Sequence, residues 1–445
     1  MVLSLNKVNV LSKSFRKIVE DKPRQLAFEV FTEVMRNGAY SNLLLPQKLA
    51  KSGFDQRDRG FVTELVYGSI RQIGRNDYIA AQFSDRKWDE VDSGIVDVIR
   101  MGAYQLFDMR IPTHAAVDAT TNIARKVVGE SKASFVNALM RKLAAKPLEE
   151  HLSAVQDDSI PSISVRYSHP EWIVNSYRDF ISDVDELKAL LSANNTPALP
   201  TLVAWPGKSE PTDFSGEPGK YSKYAVYIDQ APHEIAAIKE RRAGIQDEGS
   251  QVLAIAFANA AKENEPWLDL CAGPGGKAAL LSYLSRQPMY ANEVSTARAE
   301  LVSQVVKGVT IVNVGDGREV QLDVGAIIAD VPCTGLGALR RRPEVRWRRS
   351  AGDIPNLTKL QYELAAHAID ILPAGGIFAY ATCSPHMAET RAQCAAIEKK
   401  LPVEKIDVAE YLPANLQDGT SNGYMQLWPH RHETDAMFLA LYRKR

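Results

Sequence analysis

Two of the four cysteines stand just past hydrophobic runs. Cys333 follows Pro332 in "ADVPCTGLGALRRRPEVRWRR" (329–349), and Cys383 follows Thr382 in "YATCSPHMAET" (380–390). The opening residues, "MVLSLNKVNVLSKSFRKIVEDKP", lack the apolar core and cleavage site of a secretory signal. A cytosolic, reducing setting is therefore expected, where scattered cysteines are buried or reactive thiols rather than disulfides. No two cysteines have CxxC spacing, so no metal site is expected. Cys333 and Cys383 close predicted strands and are candidates for reactive thiols. Cys394, on an amphipathic helical stretch, reads as a small buried hydrophobe, and so does the thiol of Cys271.

A second group of residues could hold a nucleotide. "WLDLCAGPGGKAALL" reads as strand, glycine loop and helix, with Cys271, Ala272, Gly273, Pro274, Gly275, Gly276 and Lys277 in the loop. The glycines let backbone approach a ligand, and the helix offers free N–H groups. The spacing is neither GxGxxG nor a phosphate loop. Glu293 ends the next predicted strand, where an acid can take two ribose hydroxyls, and Arg298 follows it. Asp316 ends the third, within reach of an adenine amine. This order of groups suits an adenosine ligand without a pyrophosphate, and S-adenosyl-L-methionine is such a ligand.

Charge points to a polyanionic partner. Residues 1–146 hold 23 Lys and Arg against 16 Asp and Glu, whereas the whole chain has a net charge of −1. "RRRPEVRWRR" (340–349) packs six arginines around Trp347. Arg340, Arg341, Arg342, Arg346 and Arg348 are candidates for phosphate contacts, and Trp347 for stacking on an unpaired base. No run of eighteen apolar residues occurs, so no membrane span is expected.

The elements that must position these groups fall into segments. Residues 23–146 read as successive helices; in "DSGIVDVIRMGAYQLFDM", Ile95, Ile99, Gly102 and Leu106 share one face. Residues 147–163 read as a linker, and 164–250 as a small α+β segment with strands in "PTLVAW" and "YAVYI". From 251 to 445, "PWLDLC", "MYANEV", "VTIVNVGD", "GAIIADV" and "GGIFAYATC" alternate with helical stretches, which predicts a mostly parallel sheet. "MQLWPH" and "AMFLALYR" are expected as antiparallel edge strands.

"DLCAGPGGKA", "DVPCTGLGALRRRPEVRW" and "YATCSPHMAET" resemble the signature segments of the RNA 5-methylcytosine methyltransferases. "RDRGFVTELVYGSIR", "GAYQLF", "PTHAAVDAT" and "FVNALMRK" resemble the NusB-like RNA-binding domain fused to bacterial 16S rRNA (cytosine-5)-methyltransferases, and "HPEWIV", "ANNTP" and "IQDEGSQ" resemble their connecting segment. The resemblance spans roughly residues 23–445. It implies an all-α N-terminal bundle followed by an α/β, Rossmann-like sheet of the class I S-adenosylmethionine-dependent type. It further implies Cys383 as nucleophile toward cytosine C6, Cys333 as the thiol assisting release, and Asp330 as the acid that holds the N3/N4 edge and completes the cofactor side. Lys277 would lower a thiol pKa or steady developing charge. The expected partner is RNA, 16S rRNA above all, and the expected state a monomer. The chain departs from the family at Gly273 (usually Ala), Ala278 (Ser or Thr), Glu293 (Asp), Val203-Ala204-Trp205 (Arg-Val-Asn) and the residue after Asp435 (Gly). None of these removes a catalytic group. Two alternatives share the sequence features: a tRNA cytosine-5 methyltransferase, and a non-catalytic RNA-binding adaptor of antitermination type.

Overall fold

The computed structural model describes residues 20–445 apart from 264 and 309. The expected N-terminal RNA-binding domain is bounded at 1–146, and its stretch 1–19 lies outside the described residues. The chain divides into a unit ending at Ser153 and a unit beginning at Ala154. The division falls inside the expected linker, which carries a helix at Leu148–His151 and the start of another at Ile160–Arg166.

The first unit is helical. Its longer helices are Lys22–Asn37, Ser41–Ser52, Gln56–Arg71, Ser93–Phe107, Thr113–Val127 and Glu130–Ala144. Local chemistry sets their ends. Asp21, Asp55 and Asp92 each accept a hydrogen bond from a first-turn N–H, and Gly38 ends the first helix with a left-handed φ of 76°. Ile95 and Ile99 are buried, and Leu106 partly so. At Gly102 a Cβ would meet Thr120 Cγ2 at 2.6 Å and Met140 Sδ at 2.8 Å, so only glycine lets the three helices approach.

The second unit opens with helices Ile160–Arg166, Glu171–Arg178 and Val184–Asn195. A small antiparallel sheet follows, in the order β2-β3-β1-β4, from β1 (Thr201–Ala204), β2 (Glu217–Pro218), β3 (Ala225–Tyr227) and β4 (Ala243–Ile245). Helix Glu248–Ala260 leads into the main sheet. Its strands are β5 (Trp267–Asp269), β6 (Met289–Glu293), β7 (Ile311–Val314), β8 (Ala326–Asp330), β9 (Ile377–Thr382), β10 (Val403–Ile406), β11 (Thr420–Ser421), β12 (Tyr424–Gln426) and β13 (Phe438–Lys444). The order is β11-β12-β13-β9-β8-β5-β6-β7, with β10 also on β13. β5 to β9 pair in parallel. β13 is not an edge strand as expected: it pairs antiparallel with β9 on one side and with β12 and β10 on the other. Its unbroken apolar run is the reason, since both faces are covered.

Alternate residues feed two cores. Trp267, Ile328, Ala379 and Leu439 pack toward helices Glu248–Ala260 and Gly276–Leu284. Leu268, Ile327, Phe378 and Phe438 pack toward helices Ile354–Ile371 and Arg391–Lys400. The chain leaves β5 toward β6 on one side, while β8 lies on the other. The crevice at this reversal is where open α/β sheets bind ligands.

Arg346 is fully buried, which corrects its expected place among RNA-facing arginines. Its guanidinium donates to Ser168 O (3.0 Å), Asn195 Oδ1 (2.7 Å) and Asn194 O (3.1 Å). Tyr177 Oη donates to Leu336 O at 3.2 Å. The segment after β8 is thus pinned to helices Glu171–Arg178 and Val184–Asn195. Arg346→Ala should cost about 2–4 kcal/mol, because it strands two buried carbonyls and a half-buried amide oxygen. Arg346→Lys should recover little, since an ammonium lacks the planar fork. Melting followed by tryptophan fluorescence reads this, as five of the six tryptophans lie in this unit; an unchanged transition would contradict it.

Candidate active site

The site gathers at the carboxyl ends of β5, β6, β8 and β9. The loop after β5 is shaped by what lies against it. At Gly273 a Cβ would meet Glu293 Oε2 at 2.1 Å, and Gly275 has a φ of 116°. At Gly276 a Cβ would meet nothing closer than Gln246 Cγ at 3.7 Å. Two of the three glycines are therefore demanded by packing or backbone, and at the third a Cβ would only touch Gln246 in ordinary contact. Glu293 is buried and accepts from Gly273 N and Ser295 N, both at 3.0 Å. Arg298 lies 3.5 Å from Glu293 and also donates to the Gly273 carbonyl. Asp316 follows Gly315, whose N–H donates to Glu293 O at 3.2 Å, and carries Arg318 on both of its oxygens; this pairing holds its carboxyl down at about 2.

Asp269, the last residue of β5, was missed by sequence reasoning. It is 1% exposed, and neither carboxylate oxygen has a hydrogen-bond partner among the described residues. Burial first, and Asp330 second, push its carboxyl up to about 7. Its signal is legible in hindsight: "WLDLC" places one acid inside an apolar strand, and a buried acid needs a partner. Asp330 Oδ1 is likewise buried and unpartnered, while Oδ2 receives Lys277 Nζ at 2.7 Å. Burial alone would pull Lys277 down, but Asp330 outweighs it and holds the ammonium above its ordinary value.

The two thiols meet. Cys333 Sγ and Cys383 Sγ are 3.4 Å apart. The Cys333 S–H bond to Cys383 holds the Cys383 thiol below its usual range, against burial and Asp330 and with help from Lys277 and Arg342. The same bond and burial drive Cys333 well above it. The shared hydrogen bond thus favours the thiolate of Cys383 at the expense of that of Cys333. Cys271 and Cys394 are pushed up by burial, Cys394 to about 12, as befits inert core thiols.

A second overlooked residue braces both thiol loops. Glu389 is fully buried. It accepts from Thr334 N (2.8 Å) and the Thr334 hydroxyl, from Ser384 Oγ (2.6 Å) and from Gln361 Nε2 (3.1 Å). Thr334 follows Cys333 and Ser384 follows Cys383. Gly337 adds a backbone link: its N–H donates to Cys383 O at 2.8 Å, and a Cβ there would meet Ala436 O at 2.1 Å. Arg341 forks onto buried Asp435, whose N–H donates to Asp247 at 3.1 Å. Arg340 donates to Glu433 O at 2.6 Å, and Trp347 and Arg348 are half-buried. The arginine run is therefore split between bracing and facing the site.

The glycine cradle and the orphaned oxygens of Asp269 and Asp330 fit a polar, cationic adenosine ligand. When bound, S-adenosylmethionine supplies an electrophilic methyl group. A crevice of this kind, on this sheet, defines an S-adenosylmethionine-dependent methyltransferase. Residues 256–443 match the family model "16S rRNA methyltransferase RsmB/F", and residues 21–145 match the NusB family. A Mycobacterium tuberculosis protein named as a methyltransferase is 40% identical over 97% of this chain and 99% of its own length. The ribosomal RNA small subunit methyltransferase B of Pseudomonas putida is 28% identical over 87% of this chain and 91% of its own. The crystal structure of PH0851 shares the fold with a TM-score of 0.79 at 19% identity, covering 96% of this chain and 100% of that one. NSun6 from Pyrococcus horikoshii, solved with SFG, matches 62% of this chain and 98% of its own at TM-score 0.53 and 16% identity. The chain belongs to the RsmB/F family of RNA methyltransferases and carries an N-terminal NusB domain.

Two outcomes are expected. Glu389→Ala strands the donors of both thiol loops and should cost on the order of 2–4 kcal/mol; it should also loosen the thiol pair, read as a changed alkylation rate at Cys383. In the wild type, Cys383 should react with iodoacetamide below the pH range of an ordinary thiol, about 8.5. Cys333→Ala removes the S–H donor, so the midpoint should move to higher pH. Peptide mass spectrometry across a pH series checks this; a midpoint that stays put would refute the shared proton.

Proposed function

We propose that the protein transfers a methyl group from S-adenosylmethionine to C5 of a cytosine in 16S rRNA, through a transient bond between Cys383 Sγ and cytosine C6. The observation that carries this reading is the thiol pair at 3.4 Å beside the Asp330–Lys277 ion pair. Cytosine C5 is a poor nucleophile. A thiolate adding to C6 turns the ring enamine-like, and C5 then attacks a methyl group. Cys383, with its lowered pKa, suits that addition. Asp330 and Lys277 stand where they could hold the ring edge and steady its charge. A base then takes the C5 proton, and the electron pair left at C5 re-forms the C5–C6 double bond and expels the thiolate. Cys333 assists this release, because the S–H bond that lowers the Cys383 pKa also stabilises its thiolate as a leaving group.

Several features support rRNA as the substrate: the names of the relatives, the NusB domain and the basic excess of residues 1–146. The target base must leave any stack to reach the half-buried Cys383 thiol, so an unpaired or splayed cytosine is expected.

The two cysteines should fail differently. Cys383→Ala should abolish both methylation and covalent adduct. Cys333→Ala should permit attack but slow elimination, so an RNA–protein adduct should survive denaturing electrophoresis. The opposite pattern reverses the roles, and full turnover in both variants rules out the covalent route. Bisulfite sequencing of rRNA with and without the gene tests the substrate.

A further inference from the structure

A cleft of about 420 Å³ opens in the second unit, between the small sheet and the main one. It lies away from the thiols. Tyr283 stands near the C-terminus of helix Gly276–Leu284, whose first turn borders the glycine loop, so it is about 10 Å further along that axis. Val306 and Lys307 follow the end of helix Thr296–Val305, and Thr310 precedes β7. In a parallel sheet these are the ends opposite the strand C-termini.

The lining is cationic. Lys208, Arg241 and Lys307 reach it from three separate segments. None has a carboxylate partner among the described residues, whereas Arg242 is paired with Glu240 at 2.7 Å. Like charges converging on a concave surface focus a positive potential. The Thr310 hydroxyl in the same wall is buried with no hydrogen-bond partner among the described residues. One wall is aromatic and stiff. Tyr283 stacks on Trp205, with centroids 5.6 Å apart and planes 14° apart, and Trp205 is buried. Gly244 makes room for the indole, since a Cβ there would meet Trp205 Cζ2 at 2.4 Å. This gives the Val-Ala-Trp departure at 203–205 a physical place: its tryptophan backs the cleft.

We propose that this cleft binds the RNA backbone at a second point, with phosphates on Lys208, Arg241 and Lys307 and a base against Tyr283. Cations around an aromatic shelf are the general chemistry of single-strand binding. The proposal rests on the RNA methyltransferase reading and adds a contact remote from the reacting base.

The test uses the full chain, a 16S rRNA transcript and inorganic pyrophosphate. Lys208→Glu with Lys307→Glu should raise the transcript's dissociation constant at least about ten-fold and flatten the plot of log affinity against log salt by about 1.4, the share of two cations on a single strand. Melting temperature and S-adenosylmethionine affinity should stay unchanged. Lys208→Gln with Lys307→Gln serves if charge reversal prevents folding and should give the same trend at smaller size. Variants that bind the transcript as the wild type does, with the same salt slope, overturn the proposal alone. So does pyrophosphate binding that the variants abolish while transcript affinity is unmoved, because the cleft then serves a small anion. A wild type that neither binds nor methylates the transcript overturns the functional reading, and this proposal with it.

Discussion

The buried carboxyl of Glu389 holds the site's geometry. Two thiols from loops fifty residues apart must meet within van der Waals distance, yet neither loop has regular structure to fix it. Glu389 supplies what a helix or strand would otherwise provide. It gathers donors from Thr334, Ser384 and Gln361, one residue beyond each cysteine and on the helix that backs both. Its own carbonyl accepts from Tyr380 Oη at 2.8 Å, which ties the bracket to β9. In a low-dielectric interior such a network is stiff only when every donor is met, and here the carboxyl meets them.

That stiffness has an electrostatic consequence. A thiol beside a thiol shares a proton only if the two are held together, and the sharing lowers one sulfur at the expense of the other. Lys277 adds positive charge but is itself held by Asp330, so its effect on Cys383 is partial. Further out, Arg341 on Asp435 and Arg346 on the helix-end carbonyls fix the chain between Cys333 and helix Ile354–Ile371. The arginine run thus serves structure before it serves any ligand. Arginine suits both tasks, because its planar fork meets carbonyls and carboxylates as readily as phosphates.

The cofactor side is built on the opposite principle. Around the thiols every polar atom of the bracket is satisfied. At the ends of β5 and β8 the oxygens of Asp269, and one of Asp330, are buried with no hydrogen-bond partner among the described residues. Satisfied groups position, and unsatisfied ones await a partner.

Much of this was legible in the order of residues. Apolar runs of strand length, separated by helical periods, predict the parallel sheet because buried strands must be apolar on both faces. The glycine loop, the two cysteines and Asp330 announce themselves by type and position at strand ends. What the sequence could not decide is which polar residue turns inward. Arg346 and Arg342 are four positions apart in one basic run, yet one is sealed among carbonyls and the other lies near Cys383. Nothing in the residues around Glu389 marks that acid as buried, and around Asp269 only the apolar run does. β13 reads as an edge strand, and only its pairing with β9 on one side and β10 and β12 on the other places it inside the sheet. Burial of a charge is decided by long-range packing, which brings donors from distant segments to one point. Periodicity is local, so it reports an element's face but not the atoms that face meets.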